Sequence, residues 1–421
     1  MSAVTRAIGL AKKLKHKFDA QIKARTPVYL SPVRRIERVA LRERTVAMTF
    51  DDGPCALPAN PAADERPLTL SLIETLERFG ARGTFDVVGD TSKNYPDKPG
   101  KEGTAFWGGE KYDHYPDFGK DSSGGVKNCP ELVSRILSGG HEITSHTWSH
   151  VLFGPKPLVY GKRDPLESLE AVVADLEKMH SFMKENYNYG IALSRPPHYV
   201  DKTPDGFSAY DAYALMGYQY LAASFDGAGW LPLSDYEAEV RATAAPLEAA
   251  LKADPDSLCG QIIFQKDGYN MARRSPVADG LPLQLELLAK HGYKVVTVSE
   301  LLEKCPFADL SPDDPAYPAA KALLDKGFCV CYRDNTVRPD APMTRGELAM
   351  TLYGCKTARE RVELVRQKRS AASDVPYSHP YAAAIEAALA DGRLALQNGK
   401  FLPDLPTGST RAETFAELIN S

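Results

Sequence analysis

Nowhere in the 421 residues does an apolar run approach the 18 or more that a membrane-spanning helix requires, so no transmembrane segment is expected. Cysteine is scarce as well. The seven, at 55, 129, 259, 305, 329, 331 and 355, are an odd set without zinc-finger or disulfide-framework spacing, which predicts free and mostly buried thiols. Charge imbalance is missing too: a formal net charge of -4 with 25% charged residues offers no global basic surplus for nucleic acid. The N-terminus, Met1 to Lys15, lacks an apolar stretch long enough for a secretory signal, which by itself reads as cytoplasmic. Residues 1–44 are basic instead, with Lys12, Lys13, Lys15, Lys17, Lys23, Arg34, Arg35 and Arg38 against Asp19 and Glu37. That pattern suits an amphipathic leader helix, either touching an anionic surface or packed on the rest of the fold.

What is present begins with Thr49-Phe50-Asp51-Asp52-Gly53-Pro54. The β-branched and apolar run from Thr45 predicts a strand, and Gly53-Pro54 is turn punctuation, so two adjacent carboxylates should leave the strand's C-terminal end. In α/β sheets that end carries the chemistry. About a hundred residues on, His146 and His150 stand four apart after an apolar stretch, a spacing that would put both imidazoles on one side of a helical turn. Two histidines and one carboxylate make a three-ligand catalytic zinc site with an open position. Further along, Ser194-Arg195-Pro196-Pro197-His198 sets a guanidinium beside two prolines, and Asp226 and Trp230 share a glycine-rich loop.

Taken in order, these segments resemble the motifs of the polysaccharide deacetylase family, the NodB-homology group of carbohydrate esterases. Residues 49–54 match its first motif without change, and His146 to His150 match its second. Arg195-Pro196-Pro197 matches the third with His198 in place of the usual aromatic, and Asp226 with Trp230 matches the fourth. The resemblance runs from about residue 44 to 304 and implies a distorted (β/α) barrel. It implies that Asp52, His146 and His150 hold a divalent metal, zinc first, with cobalt, nickel or manganese as alternatives. Asp51 would then be the general base for the attacking water, and Arg195 would keep it ionised. A backbone N–H near His198 would help stabilise the oxyanion, Asp226 would orient the acid, and Trp230 would wall the sugar site.

The fifth motif departs from the family. Its strand should end in Leu-x-His, whose histidine protonates the departing amine, and Gln261 to Asp267 reads Gln-Ile-Ile-Phe-Gln-Lys-Asp, with Gln265 read into the histidine's place. An amide donates a hydrogen bond but is no acid near pH 7. The loss is worth about 10²- to 10⁴-fold in rate. His198 and Lys266 are the nearest substitutes in the sequence, and a domain that only binds metal and glycan is the alternative.

From Thr45 to about Leu302 short apolar strands alternate with helical patterns, as an α/β barrel requires, with a long insertion over residues 91–129. After Cys305 an internal repeat appears at an offset of about 65 residues. Phe307-Ala308-Asp309-Leu310 answers Ala372-Ser373-Asp374-Val375, and Thr344-Arg345-Gly346-Glu347 answers Thr410-Arg411-Ala412-Glu413. Each unit should hold a helix, a loop and a second helix opened by a capping box. The units resemble S-layer homology repeats, which anchor proteins to anionic polymers of bacterial cell walls. That resemblance implies a small all-α module in which Arg345 and Arg411 grip the polymer. The expected division is a leader over 1–44, the deacetylase-like domain over 45–304, and repeats over 305–356 and 357–421. The expected partners are an acetylated envelope polysaccharide and the wall polymer. The leader and the repeats point to different compartments, cytoplasm and envelope.

Overall fold

The computed structural model describes residues 28–60, 66–90, 106–107, 110–111, 123–155, 165–230, 232–270 and 274–420. The expected leader helix before residue 28 and most of the 91–129 insertion lie outside the described residues. In chain order the strands are β1 (Arg35–Ile36), β2 (Thr45–Asp51), β3 (Thr84–Val87), β4 (Phe106–Trp107), β5 (Glu110–Lys111) and β6 (Glu142–Ser145). They continue with β7 (Leu193–Ser194), β8 (Gln219–Leu221), β9 (Phe225–Asp226), β10 (Ile262–Lys266) and β11 (Lys294–Val296). Apart from the β4–β5 hairpin they form one sheet in the order β1-β8-β7-β6-β3-β2-β10-β9, with β11 on the first half of β2. All of its pairings are parallel. Helices α1 (Leu68–Arg78), α2 (Pro130–Ser138), α3 (Leu169–Tyr187), α4 (Ala209–Met216), α5 (Tyr236–Ala253), α6 (Val277–Lys290) and α7 (Val298–Lys304) make the crossovers.

Strand β8 lies near one end of the sheet and β9 at the other, yet only Ala222, Ala223 and Ser224 separate them. Such a connector reaches at most about 14 Å, so the sheet has to curl round on itself into the expected distorted barrel. The pleat of β2 then sorts its residues. Val46, Met48 and Phe50 point outward into a core shared with Leu72 and Leu76 of α1, and Phe50 stacks on Phe85 at 5.0 Å. Ala47 points inward with Ile36, Leu193 and Ile262, which fill the barrel floor. Thr49 and Asp51 share that inward parity and sit above the floor, at the carboxyl ends of the strands.

Residues 28–41 are a structural part of this body. Arg35 and Ile36 form a sheet strand, and the Ser31 and Arg35 N–H groups donate to the Cys331 and Arg333 carbonyls at 3.1 and 2.8 Å. The basic segment expected as a leader over 1–44 is thus, over residues 28–41, a strap between the barrel and the C-terminal module.

That module contains α8 (Tyr317–Asp325), β12 (Pro342–Thr344), α9 (Arg345–Tyr353), α10 (Ala358–Gln367), α11 (Ala382–Ala390), β13 (Pro406–Thr410) and α12 (Arg411–Asn420). It is not purely helical, because the segments leading into α9 and α12 pair as the antiparallel strands β12 and β13. Both capping boxes form, Thr344 with Glu347 and Thr410 with Glu413. The repeat extends to the loops: Asp309 accepts from the N–H groups of Val337 and Arg338, and Asp374 from those of Phe401 and Leu402. Helix α10 lies between the repeats and docks on the barrel, with Val362 in the main core and Arg361 Nε 2.9 Å from Asp211. Among the described residues no helix is long and apolar enough to cross a membrane.

Candidate active site

Strand β2 delivers Asp51 to the inward face, and Asp52 follows with φ 78°. A left-handed backbone is costly for a residue other than glycine, and here it turns the second carboxylate away from the first. Asp51 accepts a charge-assisted bond from Arg195 Nη1. The Arg195 guanidinium is 1% exposed and is braced by Thr49 Oγ1 at 3.1 Å and the Ala222 carbonyl at 3.2 Å. Arg195 was expected to keep Asp51 a low-pKa anion. Burial outweighs it: despite Arg195 and His146, the carboxyl is pushed up to about 7. A base near that value suits proton transfer at neutral pH.

The histidine pair does not lie on a helix. It sits in the loop after β6, turned by Thr147 at φ 73° and His150 at φ 51°, and the Thr147 side chain accepts from the His150 N–H at 2.9 Å. His146 Nδ1 donates to the Arg195 carbonyl at 2.9 Å and lies 3.1 Å from Asp86, so its Nε2 faces Asp52 Oδ1 at 3.3 Å. His150 Nε2 approaches the same oxygen at 3.1 Å. Burial opposes a charge on His146, but Asp86, Asp52 and Asp51 override it and raise the imidazole to about 10, whereas burial lowers His150 to about 4. Burial likewise works to raise Asp52, and Lys266 with both histidines holds it well below the usual carboxylate range.

These residues fit a divalent ion. Ligand atoms of Asp52, His146 and His150 lie within 4.8 Å of one another, all three side chains are buried, and the Nδ1 contacts of His146 leave Nε2 toward the shared oxygen. Two imidazoles and a carboxylate are also a donor set that suits zinc. Asp86, which the sequence reading passed over, is the outer support. It lies opposite Asp51 in the β2–β3 register, is fully buried, and accepts from Thr144 at 2.6 Å. The echo of Thr49-Phe50-Asp51 in Thr84-Phe85-Asp86 was the signal available for it.

Around this cluster opens a cavity of about 480 Å³, whose wall includes His198, Tyr199, Trp230, Phe264 and Lys266. Gln265 is not among its lining residues, which corrects the sequence reading. On β10 the pleat sends Ile263 and Gln265 outward, and the Gln265 amide donates to Gln284 on α6 at 2.7 Å. Lys266, in register with Asp51, points inward and pairs its ammonium with Asp52. The residue facing the site at the end of this strand is therefore a lysine.

His198 lies in the left-handed region, as does Tyr199, and its ring is 5.8 Å from that of His150. Tyr199, also missed from sequence, packs its ring against Arg195 at 5.8 Å. Asp226 lines the cavity mouth but is exposed, and its carboxylate accepts from the Trp230 indole at 3.0 Å and the Ala228 N–H at 2.8 Å. It therefore holds Trp230 in place.

The two arginines expected to grip a wall polymer are turned into the protein. Arg411 is 0% exposed and donates to the Val337 and Val330 carbonyls at 2.7 and 2.6 Å. Arg345, half-buried, donates to the Phe401 and Ala395 carbonyls at 2.9 and 2.7 Å. Each repeat's arginine thus reaches into the other repeat's loop, and Arg411 has no surface to offer a polymer. Guanidinium groups satisfied by carbonyls and stacked on Tyr332 and Phe401 hold the repeats together.

The polysaccharide deacetylase profile matches residues 38–208, and that of the S-layer homology domain matches residues 306–349. A peptidoglycan-N-acetylglucosamine deacetylase of Bacillus cereus is 25% identical over 264 residues, 62% of this chain and 89% of that protein. The peptidoglycan-N-acetylmuramic acid deacetylase PdaC of Bacillus subtilis is 26% identical over 116 residues, 28% of this chain and 15% of that protein. Among solved structures, the chitin deacetylase of the fungal pathogen Colletotrichum lindemuthianum aligns at 18% identity and a TM-score of 0.43, over 69% of this chain and 95% of that one. The chain therefore carries a polysaccharide deacetylase domain at residues 38–208 and an S-layer homology domain at residues 306–349.

Proposed function

We propose that the chain is a metal-dependent hydrolase that removes acetyl groups from N-acetylated cell-envelope polysaccharide of the peptidoglycan or chitin-like class. The observation that carries this reading is the placement of Asp51, tied to Arg195, beside Asp52 and His146 at the wall of one aromatic-lined cavity, with the buried His150 on the same Asp52 oxygen. The two Bacillus relatives, both deacetylases of peptidoglycan, support the substrate class.

A divalent ion held by Asp52, His146 and His150, zinc before cobalt, nickel or manganese, would act as a Lewis acid toward the acyl carbonyl and a water molecule. Asp51 accepts the proton of the attacking water, and Arg195 fixes the carboxylate's orientation toward the cavity. Trp230 and Tyr199 offer flat apolar faces to a sugar ring. Lys266 presents an ammonium on the wall where a departing amine needs a proton. Residues 45–304 form the catalytic body in this reading, and the repeats over 305–356 and 357–421 associate it with the cell envelope through an anionic wall polymer, by surfaces other than Arg411.

One observation favours a second reading, a glycan-binding protein without turnover: Lys266 stands on the very carboxylate that would hold the metal. Release of acetate from chitooligosaccharides, peptidoglycan fragments or a chromogenic acetyl ester, with zinc or cobalt added, separates the two. Asp51→Asn is expected to lower kcat/KM by about 10²- to 10⁴-fold with metal still bound. A wild-type rate no higher than that of Asp51→Asn would support the binding reading.

A further inference from the structure

Two oxygens of one buried carboxylate face two different cations' positions. Asp52 Oδ1 faces the Nε2 atoms of His146 and His150, at 3.3 and 3.1 Å, while Oδ2 is paired with the Lys266 ammonium. The lysine side chain is 9% exposed and the aspartate 8%, so little water screens the pair. Lys266 cannot readily swing out of the barrel either. Its parity on β10 is fixed by the ladder with β2, which runs unbroken from Ile262 opposite Ala47 to Lys266 opposite Asp51. Next along the chain, Asp267 is buried against Thr69 and the backbone at Gly53, and its N–H donates to the Asp51 carbonyl at 2.7 Å.

We propose that Lys266 sets the affinity of the Asp52–His146–His150 site, its ammonium drawing on the one anionic ligand so that a divalent ion is held more weakly than these three side chains alone would hold it. This rests on the metal-dependent reading of the site. The groups around a metal usually strengthen its ligands, as an acceptor does when it takes the far N–H of a coordinating imidazole, and the Arg195 carbonyl stands in that relation to His146, with the Asp86 carboxylate 3.1 Å from the same nitrogen. Lys266 does the opposite. A carboxylate already paired with an ammonium donates less charge, and an ion bound to it is both easier to lose and more strongly polarising toward a carbonyl. The same ammonium, with His146 and His150, keeps the buried Asp52 paired when the ion leaves.

The test uses the full chain, stripped with a chelator, and measures the zinc Kd by competition with a chromophoric chelator, with no turnover involved. Lys266→Met, which keeps the stem and removes the charge, is expected to bind zinc about 10- to 100-fold more tightly, the range typical of groups just outside a metal's ligands. Lys266→Gln, a neutral side chain that still donates a hydrogen bond, is expected to move the same way and serves if the methionine variant does not fold. Lys266→Arg keeps the charge and should stay within a few fold of the wild type. A lysine that merely supports the structure would weaken zinc binding when replaced, so unchanged or weaker binding in both neutral variants overturns the proposal. His146→Ala guards the reading beneath it. If zinc binding does not fall in that variant, the metal site itself is wrong and the proposal falls with it; if it falls while the neutral lysine variants bind like wild type, only the role of Lys266 is refuted.

Discussion

Among the described residues two arginines are almost wholly buried, and they are held in opposite ways. Arg195, in the barrel, meets an anion: Asp51 neutralises it, and the pair forms part of the wall of the candidate active site. Arg411, in the C-terminal module, meets carbonyl oxygens of Val330 and Val337 and the rings of Tyr332 and Phe415, with its nearest carboxylate, Glu347, 3.8 Å away. Each belongs to a motif read from sequence as functional. Burial of a charge costs several kcal/mol unless it is paired, so the kind of partner shows what the charge is for. Arg195 is paired to a second ionisable group that faces a cavity and fixes that group's orientation. An arginine satisfied by backbone dipoles holds two pieces of chain together.

Double substitutions separate the two cases, and the largest effect belongs to the barrel. Arg195→Met leaves Asp51 buried without its cation, which should cost about 3 to 5 kcal/mol of stability and lower the thermal midpoint. Asp51→Asn in the same chain removes the stranded charge and should restore much of that loss. Denaturant titration of the two singles and the double measures the coupling, and additive losses would mean that Asp51 and Arg195 are not a pair in solution.

Arg411→Met comes next. It strands two carbonyls that the guanidinium satisfies, at about 1 to 3 kcal/mol each, and so should cost about 3 kcal/mol in the C-terminal module. Glu347→Gln should not rescue it, because the carboxylate is not what the arginine serves. Limited proteolysis reports which region opens; a rescue by Glu347→Gln would make Arg411 an ion-pair residue like Arg195 and erase the distinction.

The contrast also explains what was legible in the sequence. Asp51, Asp52 and the strand that carries them were legible because a pleat and a turn are local, and both capping boxes were legible for the same reason. Asp86 was not: it becomes a site residue only through the register that sets β3 beside β2. Gln265 and Lys266 are one residue apart, which in a strand reverses the face, and only the ladder with β2 fixes the parity. The His146–His150 spacing suited a helical turn, but the left-handed residues Thr147 and His150 produced the same proximity in a loop. Arg411 was misread for a larger reason. A Thr-Arg-Ala-Glu segment specifies its own helix start, whereas the burial of its arginine depends on the loop of the other repeat, some 70 to 80 residues away in sequence.

The smallest effect tests how far the two repeats are equivalent. Arg345 makes the reciprocal bonds to Phe401 and Ala395, and its guanidinium lies 4.9 Å from the Phe401 ring, so the repeats exchange arginines about a local pseudo-symmetry. The exchange is uneven, because Arg345 is half-buried and water can reach the groups that its removal would expose. Arg345→Met should therefore cost about 1 kcal/mol, the net worth of an ordinary hydrogen bond, against about three times that for Arg411→Met. A further asymmetry points the same way. Where the second repeat has Ala412, the first has Gly346, and a Cβ there would come within 3.0 Å of the Pro403 carbonyl. The first repeat's helix thus approaches the opposite loop closely at its backbone and leans less on its arginine. Equal losses in the two single variants would instead mean that both guanidinium groups are equally shielded from water and that the close approach at Gly346 contributes little.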